Sequence, residues 1–335
     1  VQGRHAVDPG ADAEALRQDA DLVPVVRPDG GENPRHVGGL AEHPVAPGLV
    51  VQLAPPALAR VDLVAGHLTA ARHAPAADLD AGVDVLTTHT FNLTKRNFIN
   101  FFRDTEHMSL IGATSLPTKA RELCHAAVSL AKEALTQTGK IETIPLAGSI
   151  APVMHLFRPD LSPSKDDCLT HHSECVEILS DCGVDFIFFE GMNNTREAQA
   201  ALQAAAEFDL PVWMSFIPGL DGNLLNGEPL LDAANLARSQ GAKAIIVSAA
   251  SLSMITKSLP NIINGSPCGA KAIVGRYSPP SWKPDFYPSF VDTDEVSPEK
   301  YAQEVNSWLD QGAQIVGGSS GTTPEHIRAL RGMIG

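Results

Sequence analysis

The residues best placed to do chemistry are a glycine-rich loop late in the chain and a set of polar side chains that close apolar runs upstream of it. In Val316-Gly317-Gly318-Ser319-Ser320-Gly321-Thr322-Thr323-Pro324-Glu325-His326-Ile327 a short apolar run gives way to two glycines, and Thr323-Pro324 reads as an N-cap followed by proline at the first helical position. A strand, a tight loop and a helix start aim backbone N–H groups outward with the positive end of a helix dipole behind them. That suits an anion or a charged substrate; the alternative is a glycine turn without a ligand. Glu190 closes the apolar run Val184-Asp185-Phe186-Ile187-Phe188-Phe189, where a carboxylate is costly unless paired, so it reads as a substrate ligand or as half of a structural ion pair. His89 follows Thr87 and Thr88; its imidazole titrates near neutrality and can take the proton of a thiol, or it is a hydrogen-bonded structural histidine. Thr87, Thr88 and Ser149 hydrogen-bond a substrate or cap their strands. Ser319 as a nucleophile needs an adjacent base, and no Gly-x-Ser-x-Gly elbow surrounds it. His171-His172 falls within a predicted helix and reads as surface.

Five cysteines, Cys124, Cys168, Cys175, Cys182 and Cys268, are an odd number in a long chain and do not form a disulfide framework. Cys168, Cys175 and Cys182 recur every seventh residue, which places them along one helix face. A tetrahedral zinc needs its ligands within about 2.3 Å of one point, whereas residues two turns apart on a helix are roughly 10 Å apart along its axis. The stripe therefore reads as small buried hydrophobes. A formal charge of −14 argues against nucleic acid or an anionic membrane as partner. No apolar run reaches transmembrane length and the first residues lack a signal core, so a cytoplasmic protein is expected.

These groups must be held by a scaffold, and from residue 80 onward its pattern is regular. Strands are predicted at 83–88, 144–149, 184–190, 211–216, 243–250, 271–277 and 314–316. Helices are predicted at 117–137, 168–182, 195–208, 230–240, 252–263 and 298–311, with a further start at Thr323-Pro324. Apolar strands alternating with amphipathic helices mean parallel βα units. Seven are visible after residue 80, and an eighth strand can lie before it, which closes a (β/α)8 TIM barrel. Thr87, Thr88, His89, Thr90, Ser149, Glu190, Ser215, Ser248, Arg276, Ser319 and Ser320 then share the mouth at the C-terminal ends of the strands. An open doubly wound sheet is the competing architecture. Residues 1–79 contain no Lys, Ile, Ser, Cys or aromatic residue. They read as the first βα unit, as a disordered segment or as out-of-frame sequence, with Asp21 to Val26 as a candidate strand and Pro56 to Leu68 as a candidate helix.

With the strand ends so aligned, residues 80–335 resemble the homocysteine S-methyltransferase family, which includes the homocysteine module of cobalamin-dependent methionine synthase. Val85-Leu86-Thr87-Thr88-His89-Thr90-Phe91 is similar to the family's Thr-Thr-Asn-Thr-Phe segment, with His89 in place of Asn. Ala147-Gly148-Ser149-Ile150-Ala151-Pro152 is similar to its Gly-Ser-(Val/Ile)-Gly-Pro, and residues 185–190 to the strand ending in a homocysteine-binding Glu. Val212-Trp213-Met214-Ser215-Phe216, Asn226-Gly227-Glu228-Pro229-Leu230, Gly275-Arg276-Tyr277-Ser278 and the final loop complete the match.

The resemblance implies transfer of a methyl group from a donor to the homocysteine thiol to give methionine. Glu190 would receive the substrate amine, with Thr87, Thr88, Ser149, Gly317 and Gly318 around it and His89 as candidate catalytic base. It also implies zinc held by three cysteines, which makes the thiol a nucleophilic thiolate. Here those positions are Ala249, Ser319 and Ser320. A methyl group cannot ligate and a neutral hydroxyl is a weak zinc ligand beside a thiolate, so no metal and no other cofactor is expected. Ile273 also stands where the family carries Asn. Two readings follow: a methyltransferase barrel whose zinc site has been removed, or a zinc-free small-molecule-binding barrel or pseudoenzyme.

Overall fold

In the computed structural model the described residues are 48–51, 75–91, 93, 116–263, 267–274 and 295–334, with main chain alone for 48–51 and 116–119. The strands are β1 (Gly48–Val51), β2 (Val85–Thr87), β3 (Leu146–Ile150), β4 (Phe186–Met192), β5 (Val212–Phe216), β6 (Ala244–Ala249), β7 (Cys268–Ala272) and β8 (Ile315–Gly318). They pair in parallel, in chain order, and β8 returns to β1, which closes the barrel. The helices are α1 (75–81), α2 (Leu116–Gln137), α3 (Lys165–Asp181), α4 (Thr195–Ala205), α5 (Leu230–Ser239), α6 (Leu252–Ser258), α7 (Pro298–Asp310) and α8 (Pro324–Ile334). No helix among the described residues is long and apolar enough to cross a membrane.

The expected (β/α)8 barrel is therefore the fold, and the open-sheet alternative falls because β1 bonds β8. The closing strand lies within the atypical first segment, at Gly48–Val51; the candidate elements at 21–26 and 56–68 and the mouth residue Arg276 lie outside the described residues. One strand is displaced from its expected position, since β7 runs over 268–272 rather than 271–277. Gly269 and Lys271 disguise it: neither is a strand-favouring apolar residue, yet Cys268 to Ala272 carry the full ladder to β6 and to β8.

Two-residue alternation sorts the side chains. Val85, Ala147, Phe186, Phe188, Ala244, Ile246 and Ile315 fill the lower barrel interior with Trp213 against them. The Phe186 and Trp213 rings are centred 4.6 Å apart. Their outward neighbours Ile187, Phe189, Ile245, Val247, Ala270 and Val316 pack with helix residues such as Val176, Ala201, Tyr301 and Trp308. Chain reversals are fixed by caps: Ser164, Asn194, Ser251 and Ser297 each accept the backbone N–H three residues on. At the end of the chain Arg331 on α8 reaches Asp84 at 2.6 Å and the carbonyl of Gly82 at 2.8 Å, binding the last helix to the turn before β2.

A second polar cluster lies outside the barrel wall. Glu197 on α4 accepts the Val153 N–H at 2.5 Å and faces His172 Nε2 at 3.3 Å with one oxygen, and accepts Ser162 Oγ–H at 2.7 Å with the other. His172 is therefore not on the surface; it is 1 % exposed and packs edge-on against Phe189. Hydrogen bonds to His172, Ser162 and Val153 outweigh burial and hold the Glu197 carboxyl below its usual range. This cluster ties the loop after β3 to α3 and α4.

Asp78 on α1 generates a pH-dependent prediction. It is 2 % exposed and its Oδ1 has no partner among the described residues, and burial pushes the carboxyl from 3.8 to about 7. Its folded pKa lies above the unfolded one, so the folded state holds a proton the unfolded chain releases, and stability falls as pH rises through that window. A three-unit shift is worth up to about 4 kcal/mol. Asp78→Asn is expected to leave the melting temperature nearly unchanged at pH 4 and to raise it at pH 8; an equal shift at both pH values in thermal melts would refute the burial cost.

Candidate functional site

Inward-facing positions turn polar toward the C-terminal ends of the strands. On β4 the alternation that sends Phe186 and Phe188 inside carries Glu190 there too, 2 % exposed. Ser149 Oγ on β3 donates to Glu190 Oε1 at 2.5 Å. The other oxygen, Oε2, receives the ammonium of Lys271 from β7. Lys271 is itself 2 % exposed, and its Nζ stands 4.9 Å from the centre of the Phe188 ring. In register beside Lys271 are Ser248 on β6 and Gly317 on β8. The Ser248 hydroxyl is buried without a hydrogen-bond partner among the described residues.

The backbone around Glu190 is shaped to hold it. β4 slips register against β5 between Phe189 and Met192, and Gly191 at the slip has φ +78°, with its N–H donated to Ser215 Oγ at 2.7 Å. Glycine is required there by conformation, while a Cβ would also press on the flexible end of Leu156, Cδ1 lying 2.2 Å away. A bulge of this kind re-aims the preceding side chain at a barrel rim.

Thr88, Thr90 and Ser149 form a closed chain of hydrogen bonds. Ser149 N–H donates to Thr88 Oγ1 at 3.1 Å, and Thr90 Oγ1–H donates to the Ser149 carbonyl at 2.7 Å. The Thr90 proton being used there, the 2.7 Å Thr88–Thr90 contact takes the Thr88 proton. Ser149 is clamped at both its N–H and its C=O, which aims its hydroxyl at Glu190. Thr87 is buried one residue earlier, in register with Ala147. His89 is half-buried, with no hydrogen-bond partner among the described residues, and burial lowers its pKa below the usual 6.5, leaving a neutral imidazole at neutral pH.

The C-terminal loop is more closed than its glycines suggest. Gly317 and Gly318 lie within β8 and are buried. The Ser319 N–H donates to the Ala272 carbonyl at 3.2 Å and the Thr322 N–H to the Ser319 carbonyl at 3.0 Å, so both amides serve the protein and not an anion. Gly318 is needed for the loop itself, because a Cβ there would meet the Thr322 side chain at 2.2 Å. At the start of α8, Thr323 N–H donates to His326 Nδ1 at 3.2 Å, and His326 Nε2 faces the Val296 carbonyl at 2.9 Å.

The backbones of Ala249, Ser319 and Ser320 are each hydrogen-bonded to the segment 272–274. Ala249 ends β6 and its carbonyl accepts the Ile273 N–H at 3.0 Å; Ser319 bonds Ala272, and the Ser320 carbonyl accepts the Val274 N–H at 2.9 Å. Residues 272–274 thus run between β6 and the loop after β8. The Ala249 methyl packs outward with Ile245 and Val247 in the core shared with the helices, and a methyl and two hydroxyls supply no thiolate to hold zinc. The thiols are elsewhere: Cys124, Cys168, Cys175 and Cys182 belong to α2, α3 and the turn after it, and Cys268 begins β7 at the opposite end of the barrel. Burial pushes Cys175 up to about 12 and Cys182 to about 11, so these are inert thiols.

The structure brings Thr88, Ser149 and Glu190 of the expected residues into one network and sets Thr87 and Gly317 on the same inner wall. His89 has no described bond to that network, and Gly318 serves the loop. Sequence reasoning passed over Lys271. Its signal was available, as a lone cation in the apolar alternation from Cys268 to Val274, but it was legible only once the strand was placed correctly.

Comparison with known proteins finds relatives of this barrel. Residues 68–334 match the family profile described as Homocysteine S-methyltransferase. The chain is similar to Homocysteine S-methyltransferase 3 of Zea mays, 24% identical over 270 residues covering 75% of this chain and 76% of the relative. It is also similar to the Selenocysteine methyltransferase of Astragalus bisulcatus, 25% identical over 275 residues covering 75% and 78%. Among solved structures it is similar in fold to the metallated form of the homocysteine methyltransferase MmuM of Escherichia coli, with a TM-score of 0.66 at 19% identity, covering 95% of this chain and 98% of that one.

The ion pair predicts a non-additive mutant cycle. Removing one partner of a buried pair leaves the other charge uncompensated at a cost of about 3–5 kcal/mol, whereas replacing both is often neutral. Lys271→Met is expected to destabilise by that order in urea titrations, and Lys271→Met with Glu190→Gln to recover most of it. Additive losses would mean that the two charges do not share one enclosed site.

Proposed function

We propose that this chain, which belongs to the homocysteine S-methyltransferase family, binds a small sulfur-containing acid of the homocysteine class at the barrel mouth and does not carry out zinc-dependent methylation of its thiol. The observation that carries the reading is that Ala249, Ser319 and Ser320, each bonded through its backbone to residues 272–274, supply no thiolate. The relatives' names, homocysteine and selenocysteine methyltransferases, support the ligand class: short acids ending in a thiol or selenol.

A free thiol has a pKa of about 8.5, and coordination to zinc deprotonates it outright. His89 is the candidate base in this mouth, and proton transfer from a thiol to an unshifted imidazole is uphill by about two units, or roughly 3 kcal/mol. The downward shift of His89 adds to that cost. Neutral His89 can accept a hydrogen bond from the ligand thiol but is too weak a base to populate the thiolate. Ser149 and the Thr88–Thr90 clamp orient the Glu190 end of the site, and Thr87 and Gly317 line its inner wall. A cytoplasmic location, which suits five free cysteines, is part of the same proposal; the methyl donor is not assigned.

Elemental analysis of protein purified without a metal-affinity tag tests the zinc half. The protein as given is expected to hold no zinc, and a variant with Ala249→Cys, Ser319→Cys and Ser320→Cys to take up one ion per chain. Stoichiometric zinc in the unaltered protein would place the ligands elsewhere and restore the zinc-dependent reaction. Thermal protection by homocysteine, its desamino analogue or methionine without added metal tests the ligand half, and a melting temperature unmoved by all three would end the acceptor-site claim.

A further inference from the structure

We infer that Lys271 sets the charge of the ligand this mouth accepts: by holding Glu190 permanently, it favours a thiol carboxylic acid without a free ammonium group over the corresponding amino acid. The inference rests on the acceptor site proposed above and narrows its substrate class.

Glu190 has two oxygens, and both are engaged from within the protein, one by the Ser149 hydroxyl and one by the Lys271 ammonium. A ligand ammonium seeking Glu190 must displace Lys271, and it brings a second positive charge into an enclosed space where like charges repel strongly. The Phe188 ring beneath Lys271 adds a further attraction that holds the ammonium where it is. A ligand lacking the ammonium meets none of this opposition.

The second observation is Ser248, beside Lys271 in the β6–β7 register, whose buried hydroxyl has no partner among the described residues. A buried hydroxyl in a native protein is normally completed by water or a ligand. A carboxylate or carbonyl oxygen completes it by accepting its proton, and there the ligand lies toward the cation of the pair. The pair and the orphan hydroxyl together describe a subsite for anionic or neutral oxygen.

Homocysteine and 4-mercaptobutyrate differ only in the amino group and make the direct comparison, by calorimetric titration of the folded full chain. The unaltered protein is expected to bind 4-mercaptobutyrate at least tenfold more tightly than homocysteine. Lys271→Met, which frees Glu190 for a ligand amine, is expected to reverse the order, and Lys271→Arg, which keeps the cation, to preserve it. Tighter binding of homocysteine by the unaltered protein overturns the inference without any variant, so the test stands even if Lys271→Met does not fold. A folded Lys271→Met that keeps the original order overturns it as well. Failure of both compounds to bind any of the three proteins is the distinct result that removes the acceptor site, and this inference with it.

Discussion

Closing eight parallel strands into a barrel leaves every second side chain facing a space that water does not fill, and in the upper part of that space this chain places a carboxylate and an ammonium. Neither is tolerable there alone, because a lone buried charge costs several kcal/mol. Their pairing ties β4 to β7 across the barrel, and the strand ladders set Ser248 and Gly317 beside Lys271. The pair itself is no source of stability, since an apolar substitute of the same volume would do as well or better. Stability comes from below and outside, where Phe186, Phe188, Ile246 and Ile315 fill the interior and the outward rows meet the helices.

The rest of the upper layer follows from holding that pair. Thr88 and Thr90 hold the backbone of Ser149, whose hydroxyl serves Glu190, and Glu190 faces inward by the alternation of β4, with the slip at Gly191 after it secured by Ser215. One level further out, Glu197 with His172 and Ser162 secures the loop after β3. The two buried carboxylates do different work. Glu197 is surrounded by donors from loops and helices and serves architecture, whereas Glu190 lies inside the barrel, paired with a lysine that stands in register beside Ser248.

Much of this was legible in the sequence, and the parts that were not have physical causes. The βα alternation gave the barrel, because strands buried on both faces read as continuous apolar runs such as Phe186 to Phe189. Glu190 stood out because a charge closing such a run must be answered by something. What answered it stayed hidden: Lys271 comes from a strand more than eighty residues later, beside a glycine, and register across a barrel is a property of closure that no local pattern carries. His172 was misplaced for the same reason, since its partner Glu197 lies on the next helix and only packing shows that the pair is buried. The glycines of the last loop advertised a ligand, but Gly318 is there to admit Thr322 of its own loop.

On the reading proposed above, the absence of thiolates and the presence of Lys271 act together on the electrostatics of the mouth. A zinc ion with three thiolates carries a net charge of about −1, and a site of that kind beside a bare carboxylate depends on a cationic ligand group to balance it. On that reading no thiolate charge is present, and without Lys271 the Glu190 carboxylate would be an uncompensated buried anion whenever no ligand is bound. An ammonium supplied by the chain removes that dependence, so the barrel is electrostatically complete when empty. The consequence runs from stability to recognition: a carboxylate already answered no longer rewards a ligand for bringing a positive charge, and selection passes to groups still unanswered among the described residues, such as the Ser248 hydroxyl beside Lys271.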